Sequence, residues 1–521
     1  MFKSGDPLLF CVFSLMFIRQ KQNKSGSVSI QILVKERGRN RLIKTVGCSS
    51  DIEELAFLVQ QAKQEIHSLR NQPNLFIYER DIHLESFLSE LSNAQVRTIG
   101  PELIFGRIYD YIGYNAIDKE LFRHLVIARL SFPLSKLKTI EYLYRYQGVL
   151  LDLDRVYRFL DKLNAELKDQ GEQISFKHTL KVLEGDLSIV FYDMTTLYFE
   201  ASDEDDLRTT GFSKDGKHSN PQIYLGLLVG MGGYAIGYDI FEGNIFEGHT
   251  LLPVIEKMSK KFNLSKPIIV ADAGLLSTEN IEQLQAKGYE YILGARIKNE
   301  SKAIKDRIVS ATFNEGSFLV IEKHKAKLIV HYSSKRAKKD QHNRERGLKR
   351  LEKNIKSGKL TKNNINNRGY NKYLKMEGDV TISIDEEKFK LDQKWDGLKG
   401  YVTNCSQSSS VIIEQYRNLW HIEKAFRMSK TDLKIRPIYH RLRRRIEAHI
   451  CLSFVAYSIY KELERVLKIE EYPLAVEKTA EITHNMYQLE VILPESRNTK
   501  KILLKMDENQ TKLIKIINKY F

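Results

Sequence analysis

Three acidic residues lie in sequence surroundings that favour chemistry over simple solvation. Asp193 lies inside the apolar run LSIVFYDMTTLYFE, Asp272 closes the short run KPIIVAD, and Glu423 lies in YRNLWHIEKAFRMSK. A carboxylate in an apolar strand is costly unless it is paired or binds a metal ion. No histidine or cysteine set supports these acids, and oxygen-only ligands favour Mg²⁺ or Mn²⁺ over zinc. Two such ions could activate an attacking oxygen and stabilise a leaving oxygen in phosphodiester chemistry.

Each acid also has a purely structural interpretation. An aspartate in a strand can serve as a bridging or capping group, and Glu423 with Arg427 has the i,i+4 spacing of an ordinary ion pair on a surface helix. Taken one at a time, these alternatives compete well with a metal site. The presence of two strand acids together with a helix acid in a basic chain favours the metal site.

The charge balance predicts a polyanionic partner. The 521 residues include 82 Lys and Arg against 66 Asp and Glu, which gives a formal charge of +16. Nucleic acid is the commonest polyanion bound by such proteins, and a generally lysine-rich proteome is the alternative explanation. Four widely separated cysteines without C-x-x-C spacing argue against a zinc module or a disulfide framework and fit the cytoplasm. No apolar run reaches ~18 residues, so no membrane span is expected.

The acids must be positioned by strands and one helix. From about residue 185 the pattern predicts the order β-β-β-α-β-α-β, an antiparallel run followed by parallel α/β elements. Segment 414–433 contains no Pro or Gly and predicts a single helix. Tyr416 lies seven residues before Glu423 and Lys430 lies seven after it. Because helix positions seven residues apart differ in direction by only ~20°, the three side chains should share one face.

The remaining segments predict accessory regions. A basic turn in a β-hairpin and a helix pair resembling a helix-turn-helix could both contact DNA, although a solvated hairpin tip or any two packed helices would give the same patterns. The predicted regions are an upstream extension before a start at Met16 (1–15), a hairpin plus helix (16–75), a helical DNA-binding region (76–180), a catalytic core (181–299 and 401–465), a basic β-rich insertion (300–400) and a helical C-terminal region (466–521).

These segments together resemble the DDE transposases of insertion sequences, in the branch whose last acid lies in a Y-x2-R-x3-E-x6-K helix. FYDMTTLYFE resembles the first-Asp strand, IIVADAGLLSTENIEQL the second-Asp strand with its helix, and YRNLWHIEKAFRMSK the signature helix. The resemblance implies a ribonuclease-H-like core, a mixed sheet flanked by helices, with the β-rich insertion outside that sheet. It also implies that Asp193, Asp272 and Glu423 are catalytic and ligate two Mg²⁺ ions, with Mn²⁺ as a substitute.

The resemblance implies DNA contacts as well. Tyr416 and Lys430 occupy the signature positions that contact transposon-end DNA, while the signature arginine position holds Leu419. Arg417 and Arg427 are the candidates to replace that arginine, and the alternative is that its role is lost in this branch.

The implied reaction is cut-and-paste transposition. Water first cuts the element end, and the freed 3′-OH then attacks target DNA. The partners would be double-stranded DNA and a second copy of the chain, in the nucleoid of a prokaryote. Whether a hairpin intermediate forms stays open. A metal-dependent nuclease of the same fold and a catalytically inactive DNA-binding relative are the alternatives.

Overall fold

The computed structural model describes residues 16–36, 38–70, 84, 87–89, 91–360, 364–366, 369–377, 381–493 and 496–521. The expectation for residues 1–15 lies outside these ranges. The chain divides into two compact units, Met1–Ser92 and Asn93–Phe521. Among the described helices, none combines the length and apolar content that a bilayer crossing requires.

The first unit is a three-stranded antiparallel sheet covered by one helix. Strands β1 (Met16–Gln22), β2 (Val28–Glu36) and β3 (Arg39–Ser49) pair in sequence order, and helix α1 spans Ile52–Arg70. The hairpin and the helix expected within residues 16–75 correspond to β2–β3 and α1, while β1 adds a third strand. Apolar side chains of β2 and α1 form the small core between sheet and helix. Asp51 starts α1 by accepting hydrogen bonds from the backbone N–H groups of Glu53 and Glu54, at 2.8 and 3.0 Å.

The second unit begins with a short strand and a helical layer. Pro133 follows the second helix of this layer, and Ser135 caps the next by accepting a hydrogen bond from the Lys138 backbone N–H. Turns with π-type hydrogen bonding interrupt the layer at Glu102–Gly106, Leu143–Gln147 and Leu163–Leu167. The elements are β4 (Val96–Thr98), α2 (Arg107–Ile112), α3 (Glu120–Ser131), α4 (Lys136–Tyr142), α5 (Leu153–Lys162) and α6 (Lys168–Val182).

An eight-stranded mixed sheet forms the centre of the second unit, and two further strands form a separate hairpin. The strands are β5 (Ile189–Tyr198), β6 (Gln222–Val229), β7 (Ala235–Glu242), β8 (Ile268–Ala271), β9 (Tyr291–Ala295), β10 (Phe318–Lys323), β11 (Ala326–Tyr332), β12 (Leu374–Glu377), β13 (Thr381–Ile384) and β14 (Leu398–Thr403). The sheet order is β10-β11-β14-β9-β8-β5-β6-β7, with β8 parallel to both β5 and β9 and the other pairs antiparallel.

Helices cover both faces of this sheet, so the predicted mixed α/β architecture is confirmed. Alternate residues of β5 enter two different cores: Phe191 packs in the core that contains Ile422, and Tyr192 packs in the core that contains Val254. The remaining elements are α7 (Leu251–Phe262), α8 (Thr278–Ala286), α9 (Lys302–Ser310), α10 (Ser334–Lys356), α11 (Glu386–Gln393), α12 (Ser409–Arg417), α13 (Trp420–Arg427), α14 (Arg443–Ile469), α15 (Val476–Thr483), β15 (Tyr487–Ile492), β16 (Thr499–Leu503) and α16 (Glu508–Tyr520).

Two regional expectations differ from the structure. Segment 300–400 was expected outside the central sheet, yet β10 and β11 extend that sheet because β11 pairs with β14 and β14 pairs with β9. Helix α9 precedes β10, and the described residues from α10 to α11 lie between β11 and β14 along the chain. Segment 466–521 was expected to be helical, yet β15 and β16 form a hairpin that pairs with β4. In both cases long-range strand pairing, which local propensity does not encode, decided the structure.

Candidate active site

Asp193 and Asp272 lie side by side on neighbouring parallel strands. Tyr192 of β5 is the register partner of Ala271 of β8, so the next residues along the two strands are Asp193 and Asp272. Neighbouring strands are ~4.8 Å apart, which places the two carboxylates next to each other. Residues two positions earlier, Phe191 and Val270, pack in the same core. By the period-two rule both acids therefore face the side of the sheet that α13 covers.

Asp193 is held in a poorly solvated position. The pKa of its carboxyl is raised to about 7, chiefly by burial and also by the negative charges of Asp272 and Glu247, while Lys214 opposes the rise. Its Oδ1 accepts a hydrogen bond from the Met194 backbone N–H at 2.7 Å. Burial and the neighbouring carboxylates therefore both favour the protonated form of Asp193.

Asp272 is oriented by the loop that follows β8. The backbone N–H of Gly274 donates to Asp272 Oδ1 at 2.8 Å. A Cβ at position 274 would lie 3.0 Å from that oxygen and 3.1 Å from Glu247 Oε2. Glycine therefore lets the loop pass close to two carboxylates at once. The sequence placed Asp272 at the end of a buried strand, and the structure has it directly after β8.

Glu423 approaches from the helices on the same face. Glu423 lies in the first turn of α13, and Tyr416 lies near the end of α12. Burial raises the pKa of the Tyr416 phenol, and the charges of Asp272, Glu423 and Asp193 raise it further. All three predicted acids thus act electrostatically on one buried side chain. Lys399 adds a cation here, with its Nζ 4.4 Å from the centre of the Tyr416 ring.

The prediction of one unbroken helix over 414–433 was wrong. The helix is interrupted between α12 and α13, and a π-type turn spans Met428–Asp432. At the break, the Leu419 N–H donates to Tyr416 O and the Ile422 N–H donates to Leu419 O, both at 3.1 Å, which is the tighter i to i−3 pattern. The regular seven-residue register assumed for Tyr416, Glu423 and Lys430 therefore does not apply. Leu419 itself is buried in the core.

The positions predicted to contact DNA differ in accessibility. Lys430 is mostly buried and lies 3.1 Å from Asp215 Oδ2, and burial lowers the pKa of its ammonium. Arg417 lies 3.3 Å from the Nε2 of His331. Arg427 is exposed, as is Glu423, and among the described residues these two form no ion pair with each other. The structure therefore does not support the ordinary Glu423–Arg427 ion pair, and the DNA contacts stay predictions.

Two residues of this site were not found from the sequence. Lys214, in the loop between β5 and β6, places its Nζ 2.7 Å from Met194 O, 3.1 Å from Glu247 Oε1 and 3.7 Å from Asp193 Oδ1. Glu247 lies in a short 3-10 turn before α7. Both follow buried strands, but no spacing rule connects a loop lysine with a strand aspartate. The SKDGK and FEGH segments carried no signal beyond being polar loops.

The donor chemistry fits a hard divalent cation. Among the described residues, no group of three or more His, Cys, Asp or Glu side chains is arranged to hold a metal ion. Carboxylates nevertheless gather in pairs around two residues: the Lys214 ammonium lies beside Asp193 and Glu247, and Asp272 and Glu247 both border Gly274. The Lys214 ammonium thus offsets negative charge that a bound divalent cation would also offset. Oxygen donors without histidine or cysteine suit Mg²⁺ or Mn²⁺.

Comparison with known families identifies the class of the protein. The sequence profile of the family described as Transposase DDE domain matches residues 184–459, which is more than half of the chain. The chain belongs to this family. The matched segment contains Asp193, Asp272 and Glu423.

Comparisons with individual proteins add a distant similarity. The chain is similar to a piggyBac transposase solved by cryo-EM as a synaptic complex with hairpin DNA, at 10% sequence identity and a TM-score of 0.38. The similar region covers 74% of this chain and 78% of that chain. No curated protein matches the sequence.

Proposed function

We propose that this transposase binds the ends of its mobile element, cleaves them by metal-dependent hydrolysis and joins the 3′-OH ends to target DNA. The supporting observation is the register of β5 and β8, which brings Asp193 and Asp272 together on the face where Glu423 lies. Together with family membership, this arrangement favours a ribonuclease-H-like catalytic core with the three acids as its catalytic residues.

The chain's own groups would prepare the site for this reaction. Asp193, Asp272 and Glu423 would hold Mg²⁺ or Mn²⁺, which, when bound, activates the attacking oxygen and stabilises the leaving one. The N–H groups of Met194 and Gly274 fix the orientation of the two aspartates. Asp193 must release its proton to serve as a ligand. Lys214 would then leave these carboxylates and face the scissile phosphate.

DNA is the partner that the charge favours. The formal charge of +16 supplies the counter-charge that a phosphodiester backbone requires. Tyr416, Lys430, Arg417 and Arg427 are the proposed contacts near the reacting strand. Bringing two ends together requires at least two copies of the chain, so a homodimer in the synaptic complex is part of the proposal.

The test uses the DNA that flanks the coding region as a labelled end substrate with Mg²⁺. Single Ala variants of Asp193, Asp272 and Glu423 should lose strand cleavage by at least ~10³-fold and keep end affinity within about two-fold, because each removes a metal ligand. Asp169→Ala is the control, since it removes an exposed carboxylate paired with Lys261. Cleavage that survives one of the three substitutions removes that residue from the site. Cleavage without joining to a plasmid would indicate a nuclease instead.

A further inference from the structure

A cavity lies away from Asp193 and Asp272, between the helical layer and the segment that precedes α14. Its volume is about 440 Å³, within the range of small-ligand pockets of roughly 300–1,000 Å³. Five lysine and arginine residues line it among apolar side chains. The lining residues that matter below, called the cation pocket, are Arg129, Lys136, Arg436, His440 and His449.

Arg129 and Lys136 of the cation pocket are buried, and neither pairs with a carboxylate among the residues that the structure describes. Arg129 and Lys136 are each only 6% exposed. Arg129 donates to the carbonyls of Leu433 and Lys434, at 3.5 and 3.4 Å. Lys136 makes no hydrogen bond or ion pair with any residue that the structure describes, and burial together with the charge of Arg129 lowers the pKa of its ammonium. Buried cations are normally paired, so this arrangement is costly unless a ligand supplies the negative charge.

The histidines of the cation pocket supply no negative charge either. His449 Nε2 lies 3.0 Å from the carbonyl of Ile435, and its Nδ1 lies 3.5 Å from Arg129. Such a ring is neutral, donating through Nε2 and accepting through Nδ1. Burial and the charges of Lys136 and Arg129 lower the pKa of His440 to about 3.

Arg436 adds an unused donor to the cation pocket. Its Nε is buried and has no hydrogen-bond partner in the described part of the chain, although its Nη2 lies 3.3 Å from Asp215 Oδ1. Arginine and lysine donors around one cavity are the set that binds phosphate oxygens best. Exposed Lys138, Lys434 and Tyr439 surround the mouth of the cavity and extend the basic surface outward.

We infer that the cation pocket binds a phosphate group of the DNA backbone at a position distinct from the cleaved one. Lys136 and Arg129 would meet the phosphate oxygens, and the exposed basic rim would follow the strand on either side. The phosphate chemistry rests on the pocket alone. The choice of DNA over free inorganic phosphate rests on the proposed function.

The test compares Lys136→Met with Lys478→Met, which removes an exposed lysine paired with Glu481 on α15. Inorganic phosphate should raise the melting temperature of the wild type and of Lys478→Met by several degrees more than that of Lys136→Met. Without phosphate, Lys136→Met should melt higher than the wild type because an uncompensated buried charge is gone. Its affinity for duplex DNA should fall roughly ten-fold, as expected for one lost hydrogen bond to a charged group. The slope of log K against log salt should fall by about one relative to the control.

Several outcomes would overturn the inference. A lower melting temperature of Lys136→Met in buffer would mean that the lysine serves the fold. Equal stabilisation of all three proteins by phosphate would mean general salt exclusion without a site. Phosphate-specific stabilisation together with unchanged DNA affinity would assign the pocket to a free anion. If the wild type itself binds no DNA but shows the phosphate effect, the proposed function fails while the phosphate site stands.

Discussion

Replacing Asp193 with asparagine should stabilise the metal-free protein, and the gain should grow with pH. The folded-state pKa of Asp193 is raised from 3.8 to about 7. A raised carboxyl pKa contributes stability that is fully present below pH 4 and is lost as the pH rises through 7. Each pH unit in this window corresponds to about 1.4 kcal/mol. Between pH 5 and pH 8 the wild type should lose about 3 kcal/mol that the Asp193→Asn variant keeps. The side chain is only 18% exposed, so solvent screening leaves most of this difference.

Urea unfolding in EDTA at pH 5 and pH 8, followed by fluorescence, measures this difference. Asp161→Asn is the control, because hydrogen bonds from Arg445 and Arg444 lower the pKa of Asp161 to about 2. The stability that Asp161 contributes is lost only as the pH falls through its low pKa, so its effect should be constant from pH 5 to pH 8. A pH-independent difference for Asp193→Asn, or a loss of stability at pH 8, would refute the argument. Mg²⁺ should stabilise the wild type at pH 8 and leave the variant nearly unchanged.

Two further substitutions test the surroundings of the acids. The Lys214→Met variant should bind Mn²⁺ several-fold more tightly in an electron paramagnetic resonance titration, because it lacks the ammonium that repels the ion beside Asp193. Unchanged Mn²⁺ affinity would contradict this role of Lys214. Gly294→Ala should reduce end cleavage at least ten-fold with an unchanged circular dichroism spectrum, since the added Cβ would lie 2.5 Å from the Tyr416 hydroxyl and 2.8 Å from the Ala273 backbone nitrogen. Gly171→Ala, whose nearest neighbour would be 3.5 Å away, should cleave normally.

The local pattern around the first two acids was sufficient to predict their elements. An apolar run with one acid indicated β5 around Asp193, and a short apolar run indicated β8 before Asp272. Such runs indicate buried strands because few side chains of a buried strand are polar. The parallel pairing of β5 with β8 was not predictable in this way, because β6, β7 and α7 separate the two strands along the chain. Which strands become neighbours depends on long-range packing.

The errors have the same origin. The sequence of 414–433 has no helix breaker, yet burial of Leu419 and tight turns around it divide the helix. Helix propensity summed over twenty residues does not show where a single turn changes its hydrogen-bond pattern. Lys214 and Glu247 were missed because their roles exist only after two distant loops meet beside Asp193. Charged loop residues give no periodic signal before folding.

One loop connects the carboxylates with the cation pocket. Lys214 contacts Asp193, while the next residue, Asp215, pairs with Lys430 and with Arg436 of the cation pocket. A phosphate bound by Arg436 would compete with Asp215, and a metal ion would compete with Lys214. Because Lys214 and Asp215 are adjacent, both ligands would act on the same loop. The metal ion would displace the Lys214 ammonium, and the phosphate would displace the Asp215 carboxylate. The Lys430–Asp215 ion pair must open before Lys430 can contact DNA. Phosphate binding in the cation pocket and the proposed contact of Lys430 with DNA therefore both depend on the Asp215 carboxylate.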